Sequence, residues 1–219
     1  MKKFLSSEIS SYKEYLNRRQ FIKSSVATSI SVLLSSNLYA AHKQSNNKYQ
    51  NQLSINDNIN TYEDITTYNN FYEFGTGKSD PSNYSGEFKP RPWNINIEGL
   101  VHKPGMINLE DLLRDMTIED RVYRLRCVEG WSMIIPWQGF PLNKLINKVQ
   151  PLSDAHYVQF ETIYRPEEMP GQRKLFSDYR GILPWPYVEG LRIDEAMHPL
   201  TILSTGLYGH DLLNQNGAP

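Results

Sequence analysis

Short runs of alternating apolar and polar residues occur along the chain from about residue 61 onwards. Residues 93–97 read Trp-Asn-Ile-Asn-Ile, and this period of two predicts a half-buried strand. Gly99 and the pair Pro104-Gly105 then predict a turn and a return strand. Similar patterns predict further strands over residues 120–128, 156–163 and 200–204.

Three short stretches carry the signals of helices instead. Asn108 precedes the acidic and apolar residues 109–113, which predicts an N-capped helix. Pro141 precedes apolar residues at helical spacing within 142–149, which predicts an amphipathic helix that begins with proline. Residues 193–197 predict a further helical turn. Because short strands and short helices are mixed along the chain, we expect an α+β fold.

The rest of the chain divides into a polar segment, a structured region and a long loop. Residues 42–60 are rich in Asn, Gln and Ser, which predicts a flexible tether. We expect one structured domain over residues 61–219. Within it, residues 164–191 are rich in Pro, Gly and aromatic residues and predict a long loop. Loops of that length inside a domain are usually functional.

The first 41 residues are typical of an export leader rather than of a folded segment. Arg18 and Arg19 precede Phe21 as in the twin-arginine pattern, and residues 24–41 carry no charge. This stretch contains six serines and is too polar for a stable membrane span. We therefore expect a leader that is cleaved at about residues 40–41, and a periplasmic protein. The alternative is an amphipathic or disordered N-terminus.

Composition and charge argue against a nucleic-acid partner. The chain is 39% hydrophobic and 21% charged, with a net charge of −1. Residues 1–40 carry six Lys or Arg and two Asp or Glu, which leaves a net charge of −5 for residues 41–219. A mildly acidic domain lacks the basic surface that binds phosphate backbones.

Cys127 is the only cysteine of the 219 residues, and it directly follows Arg126. Adjacent cationic side chains stabilise a thiolate, and a thiolate is a soft ligand for transition metals. A single cysteine in an oxidising compartment cannot form an internal disulfide, so metal ligation would account for it. The alternative is a buried cysteine that acts as a small hydrophobic residue, which is the commoner role of a free cysteine.

Glu129 is the acidic group nearest to this thiol in sequence. Residues two apart in a strand share a face, so the strand prediction places Glu129 beside Cys127, where it could relay protons to a metal-bound oxygen. The alternative is a structural salt bridge to Arg124 or Arg126. The five histidines lack the spacing of a zinc site, so we do not expect zinc bound by the protein.

Several motifs distributed from residue 69 to the last residue together resemble one known family. They are Asn69-Asn70-Phe71-Tyr72-Glu73-Phe74-Gly75, Arg124-Leu125-Arg126-Cys127-Val128-Glu129, Phe160-Glu161-Thr162-Ile163-Tyr164, Pro170-Gly171-Gln172, Tyr187-Val188-Glu189-Gly190-Leu191-Arg192 and Asn216-Gly217-Ala218-Pro219. The motifs resemble those of the catalytic subunits of periplasmic protein-methionine-sulfoxide reductases. That resemblance implies the sulfite oxidase fold and a molybdenum-molybdopterin cofactor.

The resemblance also implies roles for individual residues. Cys127 would be the thiolate ligand of molybdenum. The pterin and its phosphate would be bound by hydrogen bonds from Asn69, Tyr72, Glu73, Thr162 and Asn216. The implied reaction is oxygen-atom transfer from methionine sulfoxide in oxidised periplasmic proteins, with electrons from a haem-containing, quinol-dependent inner-membrane subunit. In such enzymes the cofactor performs the chemistry, and the polypeptide positions it.

One departure from the family concerns the last residue, Pro219. Family members continue through an arginine and a Gly-Phe-Lys segment that completes the phosphate site, and we expect the fold and the site to be incomplete without them. Cationic side chains make the strongest hydrogen bonds to phosphate, so their loss would weaken cofactor binding. A truncated, cofactor-free remnant without activity and a sulfite-oxidising enzyme of the same fold are the alternative interpretations. The aromatic loop 164–191 favours methionine sulfoxide over sulfite.

The leader generates a testable prediction. Replacing both Arg18 and Arg19 with lysine should retain the precursor in the cytoplasm, because the arginine pair is recognised by a receptor and not merely by its charge. Cell fractionation followed by immunoblotting measures the distribution. Replacement of Lys2 and Lys3 with arginine is the matched control and should leave export unchanged. Normal periplasmic accumulation of the lysine variant would contradict the twin-arginine assignment.

Overall fold

A four-stranded antiparallel sheet forms the centre of the computed structural model, which describes residues 58–173 and 183–219. The helices are α1 (Tyr62–Thr67), α2 (Asp80–Tyr84), α3 (Leu109–Arg114), α4 (Leu142–Val149) and α5 (Ile193–Ala196). The strands are β1 (Asn94–Ile97), β2 (Gly105–Asn108), β3 (Glu119–Arg126), β4 (Ser132–Pro141), β5 (Tyr157–Glu161), β6 (Val188–Arg192), β7 (Ile202–Leu207) and β8 (His210–Asp211). Short 3-10 turns lie at Ser85–Glu87, Pro170–Gln172 and Asn214–Asn216. This mixture of short elements confirms the α+β prediction.

Strand β4 is the longest strand and organises the sheet. It pairs along its length with β3 and, over its second half, with β7, and β8 pairs with β7, which gives the order β3-β4-β7-β8. The β4–β7 register shifts between Gln138 and Gly139. A Cβ on Gly139 would lie 2.2 Å from the carbonyl oxygen of Leu203, so this close approach requires glycine. The pairs β1–β2 and β5–β6 form separate two-stranded antiparallel ladders.

Two clusters of buried side chains lie against β4. The first joins β4 to α1 and β7 and includes Ile65, Met133, Ile135 and Leu207. The second joins the end of β4 to α3 and α4 and includes Leu112, Phe140, Leu145 and Val149. Burial of each large apolar side chain contributes roughly 1.5–3 kcal/mol, so these clusters fix both helices and strands around β4.

The helices begin where the polar signals in the sequence place them. The side chain of Asn108 accepts a hydrogen bond from the backbone N–H of Glu110 at 3.0 Å, which caps α3 as predicted. Helix α4 follows Pro141 and ends at Gln150, whose φ of 57° lies in the left-handed region. The predicted helical turn at 193–197 is α5. These three predictions depend on local sequence and are confirmed.

Three sequence-based expectations need correction. The strand predicted over residues 120–128 ends at Arg126, so Cys127 lies outside it. The predicted loop 164–191 contains strand β6 and a 3-10 turn, although residues 174–182 of it lie outside the described part. Strand β4 was not predicted, because its residues are buried on both faces and do not alternate in polarity.

The predicted leader and residues 42–57 of the predicted tether lie outside the described residues. Asn60, the last residue of that tether, is bound to β4: its N–H donates to the carbonyl of Ile134 at 3.1 Å, and its Oδ1 accepts from the N–H of Ile134 at 2.9 Å. The hydroxyl of Tyr208 donates to the carbonyl of Asn60. Over the residues described, none of the helices combines the length and the apolar character that a membrane span needs.

The close approach of Gly171 to a neighbouring backbone generates a prediction. A Cβ on Gly171 would lie 1.9 Å from the carbonyl oxygen of Tyr72, and the N–H of Gly171 donates to the carbonyl of Glu73 at 2.7 Å. Gly171→Ala should therefore lower the free energy of unfolding by about 1–3 kcal/mol, as overpacking usually does. Urea unfolding followed by tryptophan fluorescence measures the change.

The matched control is Gly86→Ala, because a Cβ on Gly86 would meet no atom within 4 Å. It should leave the midpoint of unfolding nearly unchanged. Equal stabilities of the two variants would contradict the packing of residues 170–172 against residues 72–73.

Candidate functional site

Cys127 is the first residue of the turn that joins β3 to β4. Residues 127–131, here called the Cys127 turn, are closed by a hydrogen bond from the N–H of Cys127 to the carbonyl of Trp131 at 2.9 Å. The N–H of Gly130 donates to the carbonyl of Cys127 at 2.9 Å, and Gly130 has a φ of 87° that favours glycine. Cys127 is half-buried, whereas Val128 at the tip is 96% exposed. The long β3–β4 ladder therefore presents the thiol at one end of the central sheet.

The segment that follows α1 lies directly against the Cys127 turn. The side-chain amide of Asn70 donates to Sγ of Cys127 at 3.3 Å. The ring of Tyr68 packs edge-to-face on Trp131, with the ring centroids 5.3 Å apart. The thiolate is the form of cysteine that binds a metal. These contacts bring the predicted metal ligand next to the predicted pterin-binding segment.

The carboxylate of Glu129 binds donors from three side chains. Its Oε1 accepts from the hydroxyl of Tyr72 at 2.7 Å, and its Oε2 accepts from the indole N–H of Trp131 at 3.0 Å. The ammonium of Lys78 lies 2.7 Å from Oε1 and 2.6 Å from Oε2. The hydrogen bond from Lys78, and then that from Tyr72, lower the pKa of Glu129 to about 2.

This network corrects the prediction for Glu129. The expectation that it shares a strand face with Cys127 is wrong, because both residues lie in a turn. A carboxylate with a pKa of about 2 carries no proton at neutral pH, which argues against its role as a proton relay. As the alternative interpretation required, Glu129 forms a salt bridge, and its partner in this pair is Lys78.

Asn69 and Asn216 meet at one backbone carbonyl. Each side-chain amide donates to the carbonyl of Ile65 at 3.0 Å, although Asn216 lies 151 residues away from it in sequence. The Oδ1 atoms of both asparagines are buried and have no hydrogen-bond donor in the described structure. Buried polar atoms without partners are uncommon and costly in folded proteins. Two unpaired acceptors at this position fit the amino and ring N–H donors of a pterin.

Glu73 and Thr162 form a second group that is linked through Tyr187. The N–H of Thr162 donates to the carbonyl of Tyr187 at 2.9 Å, and the N–H of Tyr187 donates to Oγ1 of Thr162 at 3.1 Å. Burial raises the pKa of Glu73, whose side chain is nearly enclosed. The pKa of Tyr187 is raised, first by its hydrogen bond to Glu189, and the charge of Glu73 raises it further. Tyr187 therefore contacts Thr162 through its backbone, and the charge of Glu73 acts on its hydroxyl.

Sequence reasoning missed Asn70 and Lys78 as parts of the site. Asn70 stands next to Asn69 in a quoted motif, so adjacency could have suggested it. Lys78 gives no such signal, because its partner Glu129 lies 51 residues further along the chain. The indole N–H of Trp185 is a third buried polar atom without a partner in the described structure, and it lies two residues before Tyr187.

Cys127 does not belong to a cluster of metal donors among the described residues. In the part of the chain that the structure describes, no group of three or more His, Cys, Asp or Glu residues could hold a metal ion. A separate cavity of about 200 Å3 contains none of the predicted site residues and is lined by Arg91, Leu109, Leu113, Ile118, Gln138, Thr205, Gly206, Asp211 and Pro219.

Comparison with known proteins assigns the class. The family model of the oxidoreductase molybdopterin binding domain matches residues 83–219, and the chain belongs to this family. The protein-methionine-sulfoxide reductase catalytic subunit MsrP of Gluconobacter oxydans (strain 621H) is 49% identical over 215 residues, which are 98% of this chain and 66% of that protein. The chain thus spans about two thirds of the length of this relative. Both findings confirm the resemblance seen in the motifs.

One solved structure is weakly similar to this chain. The sulfane dehydrogenase SoxCD of Paracoccus pantotrophus has a TM-score of 0.43 and 15% identity, and the match covers 60% of this chain and 33% of that one. This similarity carries no argument about the site or the reaction.

The opposite pKa shifts of Glu73 and Glu129 generate a prediction. Burial raises the pKa of Glu73 in the folded state, so its ionisation destabilises the fold as the pH rises above the unfolded value of about 4.5. Glu73→Gln should therefore be more stable than the parent at pH 7, by on the order of 1 kcal/mol, and the gain should vanish below about pH 4. Thermal unfolding of the cofactor-free protein over this pH range measures it.

Glu129→Gln is the matched comparison and should have the opposite effect. The lowered pKa of Glu129 stabilises the fold above about pH 4.5, and this contribution is lost as the pH falls towards 2. The glutamine variant should thus be less stable than the parent at pH 7. Two variants that shift stability in the same direction would contradict the assigned environments.

Proposed function

We propose that this protein reduces methionine sulfoxide residues of other proteins with a molybdenum-molybdopterin cofactor. The observation that carries the proposal is the half-buried thiol of Cys127 in contact with Asn70, which adjoins Asn69, one of two asparagines whose buried amide oxygens lack donors. A soft metal ligand next to unpaired acceptors matches a metal held by a pterin. The 49% identity to the Gluconobacter protein supports methionine sulfoxide as the substrate.

Different residues of the site would bind different parts of the cofactor. Cys127 would bind molybdenum through Sγ, and Asn69 and Asn216 would accept hydrogen bonds from pterin N–H groups through Oδ1. Tyr72, Glu73 and Thr162 border the same region, but part of their hydrogen-bonding capacity is used within the protein. The proposed pterin-binding residues are uncharged apart from Glu73, so they would bind the pterin by hydrogen-bond geometry.

When bound, the cofactor would supply two-electron oxygen-atom transfer. The balanced reaction consumes a sulfoxide, two electrons and two protons, and it yields a thioether and water. Lys78 and Glu129 would hold the Cys127 turn during this reaction, while Asn70 donates a hydrogen bond to the sulfur ligand. The neutral hydroxyl of Tyr72 lies in the same network.

The partner and the compartment follow from the same proposal. A catalytic subunit needs an electron donor, and we expect a haem-containing, quinol-dependent subunit of the inner membrane. The twin-arginine pattern at Arg18 and Arg19 supports a periplasmic location, where oxidised proteins would be the substrates. Neither a sulfite-oxidising enzyme nor an inactive remnant is favoured by the comparison with the Gluconobacter protein.

Substitution of the metal ligand tests the proposal. Cys127→Ser in the full-length protein should remove nearly all bound molybdenum and reduce turnover to below about 1%, because a hydroxyl is a poor ligand for a soft metal. Elemental analysis measures molybdenum per chain, and mass spectrometry of an oxidised protein substrate measures the loss of sulfoxide oxygen.

The control variant is Ser132→Ala, which changes an exposed residue just beyond the Cys127 turn and should retain both metal and activity. Full activity of Cys127→Ser would show that the cysteine is only a packing residue. Molybdenum without any sulfoxide reduction in the parent protein would retain the cofactor assignment and contradict the substrate.

A further inference from the structure

We propose that Lys78 is a positioning residue, which holds the Cys127 turn against residues 69–73 through the carboxylate of Glu129. The inference rests on the proposed function, in which this turn presents the thiolate to molybdenum. It adds to that function a residue outside the motifs that contact the metal or the pterin. Lys78 would set where Sγ lies before the metal binds.

Glu129 attaches the tip of the Cys127 turn, whereas Cys127 and Trp131 at the two ends of the turn contact Asn70 and Tyr68. Val128 is almost completely exposed and Gly130 has no side chain, so the tip of the turn packs against little. The side chain of Glu129 is only 17% exposed and points to the segment that follows α1. Its hydrogen bond from Tyr72 crosses from that segment to the turn at 2.7 Å. Among residues 128–130, Glu129 therefore makes the side-chain hydrogen bonds that attach the tip of the turn to this segment.

Lys78 links Glu129 to the predicted pterin site. Its ammonium lies within hydrogen-bonding distance of both carboxylate oxygens, and its backbone carbonyl accepts from the N–H of Asn69 at 2.9 Å. The ammonium also lies 5.8 Å from the ring centroid of Tyr72, a favourable cation–π distance. Lys78 thus connects the Cys127 turn to Asn69, whose Oδ1 lacks a hydrogen-bond donor.

The charge of Lys78 distinguishes it from the other two donors to Glu129. Tyr72 and Trp131 are neutral, and charge-assisted hydrogen bonds are roughly twice as strong as neutral ones. The Lys78 side chain is 28% exposed, so solvent screens this pair only in part. Lys148 and Asp115 form an ion pair with the same N–O distance of 2.6 Å, but their side chains are 40% and 61% exposed. Exposed pairs of that kind contribute little.

The test uses hydrogen exchange in the full-length, metal-free protein. Lys78→Met keeps the apolar stem of the side chain and removes its charge and donors. The backbone amides of Cys127 and Gly130 should then exchange about tenfold faster, because the turn opens more readily. Lys148→Met removes the exposed ion pair and is the matched control, with exchange in the turn unchanged. Lys78→Arg keeps the charge and should restore slow exchange.

A double-mutant cycle distinguishes positioning from general stabilisation. If Lys78 acts through Glu129, Lys78→Met should produce no further acceleration in a Glu129→Gln background. In the purified holoenzyme, molybdenum per chain should fall in Lys78→Met and recover in Lys78→Arg.

Three results would overturn the proposal. They are unchanged exchange of the turn in Lys78→Met, equal acceleration along the whole chain, and a full effect of Lys78→Met in the Glu129→Gln background. If Lys78→Met does not fold, the Glu129→Gln variant decides alone. Hydrogen exchange of its Cys127 turn at the parent rate would contradict the proposal. A parent protein without molybdenum or sulfoxide reduction contradicts the proposed function, whereas the exchange data, measured without metal, still decide the role of Lys78.

Discussion

The carbonyl groups at the end of α1 are the constraint on which the candidate site depends. The last turn of a helix leaves carbonyls without intrahelical partners, and these must be satisfied elsewhere. Here the carbonyl of Ile65 accepts the amides of Asn69 and Asn216, and the carbonyl of Thr66 accepts the amide of Gln215. Capping of one short helix therefore fixes two predicted cofactor residues side by side. It also draws a segment from the end of the described chain onto its first helix.

The site combines unpaired polar atoms with one well-satisfied ion pair. The buried Oδ1 atoms and the buried carboxyl of Glu73 cost stability in the cofactor-free protein, whereas the hydrogen bonds of Glu129 contribute stability at neutral pH. Costs of this kind at a binding site are expected, because groups that await a ligand cannot also be satisfied within the protein. The ion pair lies beside them and keeps the turn in place.

Local signals made much of the fold predictable. The cap at Asn108, the proline before α4 and the alternation in β1 are properties of neighbouring residues, and the structure confirms each of them. Strand β4 was missed because burial on both faces removes the alternation that identifies a strand. The end of β3 was placed two residues too late, because nothing in the sequence up to Glu129 indicates that the backbone turns at Cys127. The pairing of Lys78 with Glu129 depends on tertiary structure, which local patterns do not encode.

The shared carbonyl of Ile65 also has a consequence for the order of assembly. Residues leave the ribosome from the N-terminus, so α1 and Asn69 are available long before Asn216, which lies 147 residues after Asn69. Until that late segment arrives, the carbonyl of Ile65 has only the amide of Asn69, and the hydrogen bonds from Gln215 and Asn216 to the end of α1 are missing. A cofactor could not be fully enclosed before Asn216 is made, so its insertion would follow synthesis of nearly the entire described domain.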